Sequence, residues 1–218
     1  MNGVIMPDTA HLFSDLELDA LQEIMNIGFG QAAADLAEML NLRVTLSVPY
    51  INVFRPDDVL RFIHGQIPQS ADMGMVTQFF IGNFSGASFL VIPEGEGISL
   101  FNLFDQEGLQ GEVLPDIDLL RRESLLEIGN IIIGACVGKI AEMLKDAVHY
   151  TPPRYYTQEL IPVALDSIFE SRESLAILFK TVFSFNDSDV SGYLFLVSRY
   201  DVMQWLKRSI ERYLADYA

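Results

Sequence analysis

The sequence predicts an α+β fold built by internal duplication, in which two halves form one sheet with two long helices packed on it. A helical stretch with the pattern Glu-x-x-Asn, followed by a proline, occurs twice, 104 residues apart. Each copy precedes three stretches with strand patterning. We therefore expect one domain over residues 1–218, with halves at about 15–104 and 116–218. The charged, glycine-containing segment at about 105–115 is the predicted connector.

The duplication extends beyond the repeated pattern. An ungapped overlay of residues 21–49 on residues 125–153 gives twelve identical positions, far more than chance provides. In the first copy these are Leu21, Glu23, Ile24, Asn26, Ile27, Gly30, Ala37, Glu38, Met39, Leu40, Val44 and Pro49.

Helical periodicity in the first half predicts one long helix over residues 15–41, because leucine, isoleucine and methionine recur at helical spacing. Asp15 is the predicted N-cap. Alternation and turn residues predict three strands and a short closing helix. These four elements are Leu42–Phe54, Gly74–Ile81, Ala87–Ile92 and the helix Gly97–Phe104.

The second half repeats this order. A long helix is predicted from about Asp116 to Leu144, and an amphipathic helix, Tyr200–Tyr217, ends the chain. The three strands predicted between them are Ala147–Val163, Ser174–Phe185 and Val190–Ser198.

Composition narrows the function classes. The formal net charge of −16 repels phosphate backbones and anionic lipid, so we expect no nucleic-acid partner. No apolar run reaches the roughly 18 residues of a membrane span. Met1–Asp15 shows no secretory signal, and the single Cys136 suits a reducing compartment. We expect a cytoplasmic protein without membrane insertion.

The repeated pair has a chemical rationale. Residues three apart on a helix share one face, so Glu23 with Asn26, and Glu127 with Asn130, point into the same space. A carboxylate accepts hydrogen bonds from a cation, and a carboxamide both donates and accepts. This combination suits assisted phosphoryl hydrolysis, in which orienting the attacking water supplies much of the rate.

Plainer interpretations compete with this one. A single exposed Glu-x-x-Asn is usually solvated surface, but recurrence of a poor mid-helix residue at one position favours a site. Glycines beside both Asn residues lack the spacing of a nucleotide loop and are predicted to be close-packing positions. The three histidines show no zinc-ligand spacing. Cys136 is predicted to be buried, and the acids at Asp57-Asp58 to lie in a solvated loop.

The pattern resembles that of the CheC/CheX/FliY family of chemotaxis phosphatases, most closely its two-motif CheC-like members. The family signature is Asp or Ser, three residues, Glu, two residues, Asn, twenty-two residues, Pro. Asp19, Glu23, Asn26 and Pro49 match every position and gap. The second copy has Glu127, Asn130 and Pro153, but Glu123 stands at the Asp/Ser position and Ser124 comes one residue late.

The resemblance implies a phosphatase for the phosphoryl-aspartate of a CheY-like response regulator. It implies that Asn26 and Asn130 orient the attacking water and that Glu23 and Glu127 dock on the lysine of the receiver domain. Mg²⁺ is expected on the partner, with no cofactor or metal of the chain's own. Members of this family can bind the receptor deamidase CheD, so a CheD-like protein is a further candidate partner. Two motifs in one chain favour a monomer.

Two other functions remain open at this point. The same fold serves in flagellar-switch proteins, so the chain could be a non-catalytic receiver-binding module. A generic dimerising α+β domain fits the composition but leaves both Asn residues unexplained.

Overall fold

The computed structural model describes most of the chain. The described residues are 13–40, 43–47, 49–66, 73–93, 117–168, 176–185, 191–199 and 202–217. The predicted helix Gly97–Phe104 and the connector at 105–115 lie outside them.

The two halves contain corresponding elements. The first comprises α1 (Asp15–Leu40), β1 (Val44–Leu46), β2 (Tyr50–Phe54), α2 (Pro56–Gln66), β3 (Met73–Ile81) and β4 (Gly86–Pro93). The second comprises α3 (Ile117–Met143), β5 (His149–Tyr150), β6 (Arg154–Tyr156), a 3₁₀ turn (Gln158–Leu160), α4 (Ile161–Ile168), β7 (Ala176–Phe185), β8 (Ser191–Arg199) and α5 (Met203–Tyr217).

The predicted fold class is confirmed, because a mixed sheet-and-helix fold with two long helices is what the structure has. The first predicted strand of each half is wrong in detail. Each is broken into two short strands, ahead of Pro49 in the first half and of Pro153 in the second. Proline donates no ladder hydrogen bond, which explains the interruption.

Two helices were not predicted. α2 begins at Pro56, and its first turn contains Asp57 and Asp58, so the predicted solvated loop at these acids is wrong. Proline at the first helical position and acids in the first turn are both helix-start signals. α4 occupies Ile161–Ile168, so the predicted strand Ala147–Val163 is wrong over its last residues. In α4, Ile161, Ala164 and Leu165 are buried at helical spacing.

The sheet interlocks the halves. Its strand order is β1-β7-β8-β4-β3-β5, with β2 also on β7 and β6 also on β3, and every pairing is antiparallel. The first half's β1 and β2 therefore pair with the second half's β7, and β5 and β6 pair with β3. Because each half completes the other's edge, neither sheet portion is self-contained.

A local geometry at the centre of the sheet occurs twice. A Cβ atom added to Gly86 of β4 would lie 2.3 Å from the carbonyl oxygen of Val197, and one added to Gly192 of β8 would lie 2.4 Å from that of Val91. Both glycines therefore allow a close strand approach that no other residue permits. Gly86 and Val91 stand 106 residues before Gly192 and Val197. Such repeated contacts are what an internal duplication predicts.

Helices cover both faces of the sheet. α1, α3 and α5 pack on one face in a cluster centred on fully buried phenylalanines and isoleucines, and α2 and α4 pack on the other. On the first face a Cβ atom added to Gly28 of α1 would lie 3.5 Å from Ile140 and Met143 of α3, and Asp35 pairs with Lys139 at 3.1 Å. The α3 number falls as the α1 number rises, as expected for antiparallel helices.

α3 contains a longer apolar stretch than the sequence pattern predicted. Among the described residues, Arg122–Met143 is long and apolar enough to cross a membrane by length and composition. More than half of its apolar window is buried within the structure, as in the core helix of a soluble protein. Packing on α1 and the sheet thus accounts for its composition.

α1 begins with a capping box at Ser14 and Glu17, so the prediction of Asp15 as N-cap is wrong by one residue. The Glu17 backbone N–H donates to Ser14 Oγ at 3.3 Å, and the Ser14 N–H donates to Glu17 Oε2 at 2.7 Å. This backbone hydrogen bond lowers the pKa of Glu17, with Lys207 contributing a smaller effect in the same direction.

We expect Ser14→Ala to lower the free energy of unfolding by about 1 kcal/mol, and Ser14→Thr to lower it much less. Since the folded-state pKa of Glu17 is depressed, its contribution is present above its unfolded pKa and is lost as the pH falls through the folded pKa. Urea unfolding at about pH 7 and about pH 3 should show part of the Ser14→Ala deficit disappearing in acid, because the Ser14 hydroxyl also donates to the Glu17 carboxylate at 2.9 Å and that carboxylate is protonated there. A deficit that is absent at neutral pH would contradict the capping box.

Candidate functional site

α1 carries its Glu-Asn pair on the side away from the sheet. Leu21, Ile24 and Met25 are fully buried beneath the helix, whereas Glu23 is exposed and Asn26 is half-buried at the surface. Residues three apart on a helix share a face, so the buried apolar residues and the Glu23–Asn26 pair lie on different sides of α1.

α3 repeats the arrangement. Leu125 and Ile128 are buried, and Glu127 and Asn130 are both exposed. All four predicted site residues therefore reach the surface, two on each long helix. The predicted roles of these residues in catalysis stay predictions.

The two carboxylates are unengaged. Within the described part of the chain, neither Glu23 nor Glu127 makes an ion pair or a hydrogen bond. An exposed carboxylate without an intramolecular partner can accept from a cation of another molecule.

The position one turn before each glutamate differs between the copies. Asp19 and Glu123 are both exposed at this position. Ser124 is buried, and its Oγ donates to the carbonyl oxygen of Leu120 at 2.7 Å. Ser124 therefore cannot substitute for the Asp or Ser of the family signature, and a glutamate occupies that place in the second copy.

The two pairs form separate centres. Asn26 lies two residues from Gly28, whose position on α1 faces Ile140 and Met143 of α3. Asn130 is ten residues before Ile140, which corresponds to about 15 Å along the helix. The two pairs are therefore separate centres and do not form one shared site.

The Asn130 carboxamide is held from below. Gln78, on β3, is only 3 % exposed, and its Nε2 donates to Asn130 Oδ1 at 2.9 Å. The same Nε2 donates to the carbonyl oxygen of Thr151 at 2.9 Å. A buried amide thus connects the sheet to the surface Asn of the second centre.

The corresponding position of the first centre has a different residue. Thr151 Oγ1 accepts from the backbone N–H of Phe79 at 3.1 Å, and Ser47 Oγ accepts from that of Val182 at 2.9 Å. Just as Gln78 donates to the Thr151 carbonyl, Thr181 Oγ1 donates to the Ser47 carbonyl at 2.7 Å. Thr181 therefore occupies the place beneath α1 that Gln78 occupies beneath α3.

α3 also approaches the sheet more closely at this point. A Cβ atom on Gly129 would lie 2.6 Å from Cγ1 of Val76 on β3. The residue at the same repeat position in α1 is Met25, which is fully buried. Glycine brings the backbone of α3 onto β3, directly beside Asn130.

The proline of the first motif anchors α1. Pro49 is buried, and its carbonyl oxygen accepts from Gln22 Nε2 at 2.7 Å. At the repeat position α3 has Leu126, which cannot make this bond. The two centres are therefore supported by different polar contacts.

The remaining candidate residues have structural roles. A Cβ atom added to Gly28 would make only ordinary van der Waals contact with α3, at 3.5 Å, and one added to Gly30 or Gly134 would have no atom within 4 Å, so the predicted close packing is not required at these positions. Cys136 is buried as predicted, and burial raises the pKa of its thiol. In the ranges that the structure describes, no group of three or more His, Cys, Asp or Glu side chains could hold a metal ion.

Sequence reasoning missed Gln78 and Thr151. One signal was available, because Gln78 is a polar residue between Val76 and Phe80 in an apolar strand. A buried polar residue at such a position requires a partner. The sequence did not indicate which partner, since Asn130 lies 52 residues away.

Comparison with known proteins points to one family. A model of the CheC-like family matches residues 16–53, which include Glu23, Asn26 and Pro49. The chain is 22 % identical over 205 residues to the CheY-P phosphatase CheC of Bacillus subtilis, covering 87 % of this chain and 91 % of that relative. These matches agree with the family that the sequence resembles.

Two further similarities concern FliY proteins. The chain is 23 % identical over 151 residues to the flagellar motor switch phosphatase FliY of Bacillus subtilis, covering 65 % of this chain but only 35 % of FliY. The crystal structure of Thermotoga maritima FliY superposes with a TM-score of 0.65 at 16 % identity, covering 93 % of this chain and 99 % of that one. At 16 % identity, the match to the Thermotoga maritima structure shows a similar fold and nothing further.

Proposed function

The chain belongs to the CheC/FliY family, and we propose that it accelerates hydrolysis of the phosphoryl-aspartate on a CheY-like response regulator. The observation that carries the proposal is the pair of unengaged carboxylates beside surface carboxamides on α1 and α3. The names of the Bacillus subtilis relatives, a CheY-P phosphatase and a flagellar motor switch phosphatase, support this reaction class.

The chemistry divides between the two proteins. The receiver domain supplies the acyl phosphate and its Mg²⁺, which neutralises phosphoryl charge. This chain supplies Asn26 and Asn130, whose carboxamides hold a water in line with the phosphorus atom. An oriented water replaces a randomly placed solvent molecule, which removes much of the entropic barrier to attack. Neither asparagine acts as a nucleophile in this proposal, so the phosphoryl group passes directly to water.

Glu23 and Glu127 provide the docking contact. The cation that they accept is the active-site lysine of the receiver, and a charge-assisted hydrogen bond sets the angle at which the helix crosses the phosphorylation site. Such a partner would place the protein in the cytoplasm, where the single Cys136 would stay reduced. We expect a monomer that offers two docking positions, with a CheD-like deamidase as a further candidate partner.

The docking role predicts a charge-reversal effect. The variant Glu23→Lys, Glu127→Lys should raise KM for the phosphorylated receiver at least about 10-fold, because each attractive contact becomes a repulsive one. The measurement is phosphate release at several receiver concentrations in the presence of Mg²⁺.

The matched control is Glu38→Lys, Glu211→Lys. These glutamates are also exposed, make no ion pair within the described part of the chain, and produce the same change in net charge. We expect KM within about 2-fold of the wild-type value for the control. Equal effects of the two double variants would show that only overall charge matters, and the proposed docking contact would be wrong.

A further inference from the structure

The two centres differ in how their asparagines are held. We propose that Gln78 is a positioning residue that fixes the Asn130 carboxamide, so that the second centre is preorganised for catalysis and the first is not. The catalytic part of this inference rests on the proposed function. The orientation of the side chain rests on hydrogen-bond geometry alone.

The hydrogen-bond chain determines which way Asn130 points. The Thr151 carbonyl can only accept, so the Gln78 atom 2.9 Å from it must be the donor Nε2. The same Nε2 lies 2.9 Å from the Asn130 side chain, which must therefore present its acceptor Oδ1. The Asn130 NH₂ group is left facing outward. The Thr151 carbonyl thus fixes the orientation of the Gln78 amide, which in turn fixes the orientation of the Asn130 amide at the surface.

This orientation suits the reaction. An exposed asparagine without a partner samples several rotamers, and ordering it during the reaction adds to the barrier. Gln78 orders Asn130 in advance, with two N–H donors directed at the partner. These donors can hold the oxygen of the attacking water or a phosphoryl oxygen, and the second lone pair of Oδ1 remains available.

Gln78 carries a cost to stability alongside its hydrogen bonds. Its Oε1 is buried and has no hydrogen-bond partner among the described residues. A buried polar atom left unsatisfied is destabilising, and this cost offsets part of the gain from the two hydrogen bonds that Nε2 donates. Residues that lower stability in this way are expected at functional sites, and Gln78 donates directly to the exposed Asn130.

The first centre lacks this device. Thr181, in the corresponding place, is shorter and donates to the Ser47 carbonyl at 2.7 Å. Met25 stands where Gly129 lets α3 approach β3. In the described structure Asn26 makes no side-chain hydrogen bond. Its carboxamide must therefore be ordered by the partner.

The test uses Gln78→Met, which removes the donor but keeps the length of the side chain. In an Asn26→Ala background only the second centre is active, and we expect kcat for phosphate release to fall about 10-fold with KM within about 2-fold. In an Asn130→Ala background the substitution has no asparagine left to position, so the rate should not change. Loss in both backgrounds, or in neither, would overturn the proposal.

A second readout does not depend on activity. The ¹⁵N-labelled side-chain NH₂ of Asn130, assigned by its disappearance in Asn130→Ala, should show restricted motion in the wild type and increased motion in Gln78→Met. Unchanged motion would overturn the positioning role even if turnover fell. If the wild-type protein does not accelerate phosphate release at all, the proposed function fails, and the NMR comparison still decides whether Gln78 orders Asn130.

Discussion

The double variant Asn26→Ala, Asn130→Ala is expected to lose assisted phosphate release almost completely. Each substitution removes the carboxamide that orients the attacking water, and loss of such positioning costs about 100-fold or more in rate. Affinity for the phosphorylated receiver should be nearly unchanged, because Glu23 and Glu127 remain exposed on the same helices. Binding by titration calorimetry and phosphate release should therefore separate in this variant.

A control distinguishes this from a general effect of losing amides. Gln204 is an exposed amide on α5, which carries neither Glu-Asn pair. Gln204→Ala should retain wild-type turnover. If the double variant released phosphate at the wild-type rate, the two asparagines would not be the catalytic groups. If it lost binding and turnover together, they would serve in docking instead.

Gly86→Ala and Gly192→Ala are expected to be the most destabilising small substitutions in the sheet. The new Cβ would lie 2.3 Å from the Val197 carbonyl oxygen in the first case and 2.4 Å from the Val91 carbonyl oxygen in the second. Backbone oxygens can move only if the β4–β8 pairing shifts, so we expect each variant to lose about 3 kcal/mol. Urea unfolding measures both losses.

The repeated geometry also predicts that the two losses are similar. Gly134→Ala on α3 serves as the control, because its added Cβ has no atom within 4 Å. Alanine is the better helix former, so this variant should gain up to about 1 kcal/mol. A stability of Gly86→Ala or Gly192→Ala within about 0.5 kcal/mol of the wild type would contradict the close approach at the sheet centre.

The sequence was most informative where structure is periodic and local. The long helices α1 and α3 were predicted to within a few residues at each end because apolar residues recur over more than six turns. α4 was missed because a helix of 8 residues offers about two turns of pattern. α2 had start signals at Pro56 and Asp57, but its polar residues also fit a loop.

Strand partners were not predictable in the same way. β1 and β2 pair with β7, which lies about 100 positions or more away in the sequence. β5 and β6 pair with β3 of the other half. Register is set by non-local packing, which a single sequence does not display. Duplication indicated that the halves combine, but not which strands cross between them.

The same distinction between local and distant contacts applies to the site. The Glu-Asn pairs were identifiable because both members lie on one helix at fixed spacing. Gln78 was not, because its partners Asn130 and Thr151 lie 52 and 73 residues away. The difference in how the two asparagines are held thus appears only in three dimensions.

The most direct test of the central claim is a time course of phosphate loss from a phosphorylated CheY-like receiver in the presence of Mg²⁺, with and without this protein. Decay of the phosphoryl-aspartate should be much faster with the wild-type protein than without it, and substoichiometric protein should complete the reaction. Formation of a stable complex whose phosphate decays at the receiver's own rate would contradict the account, and would identify the chain as a receiver-binding module without catalytic activity.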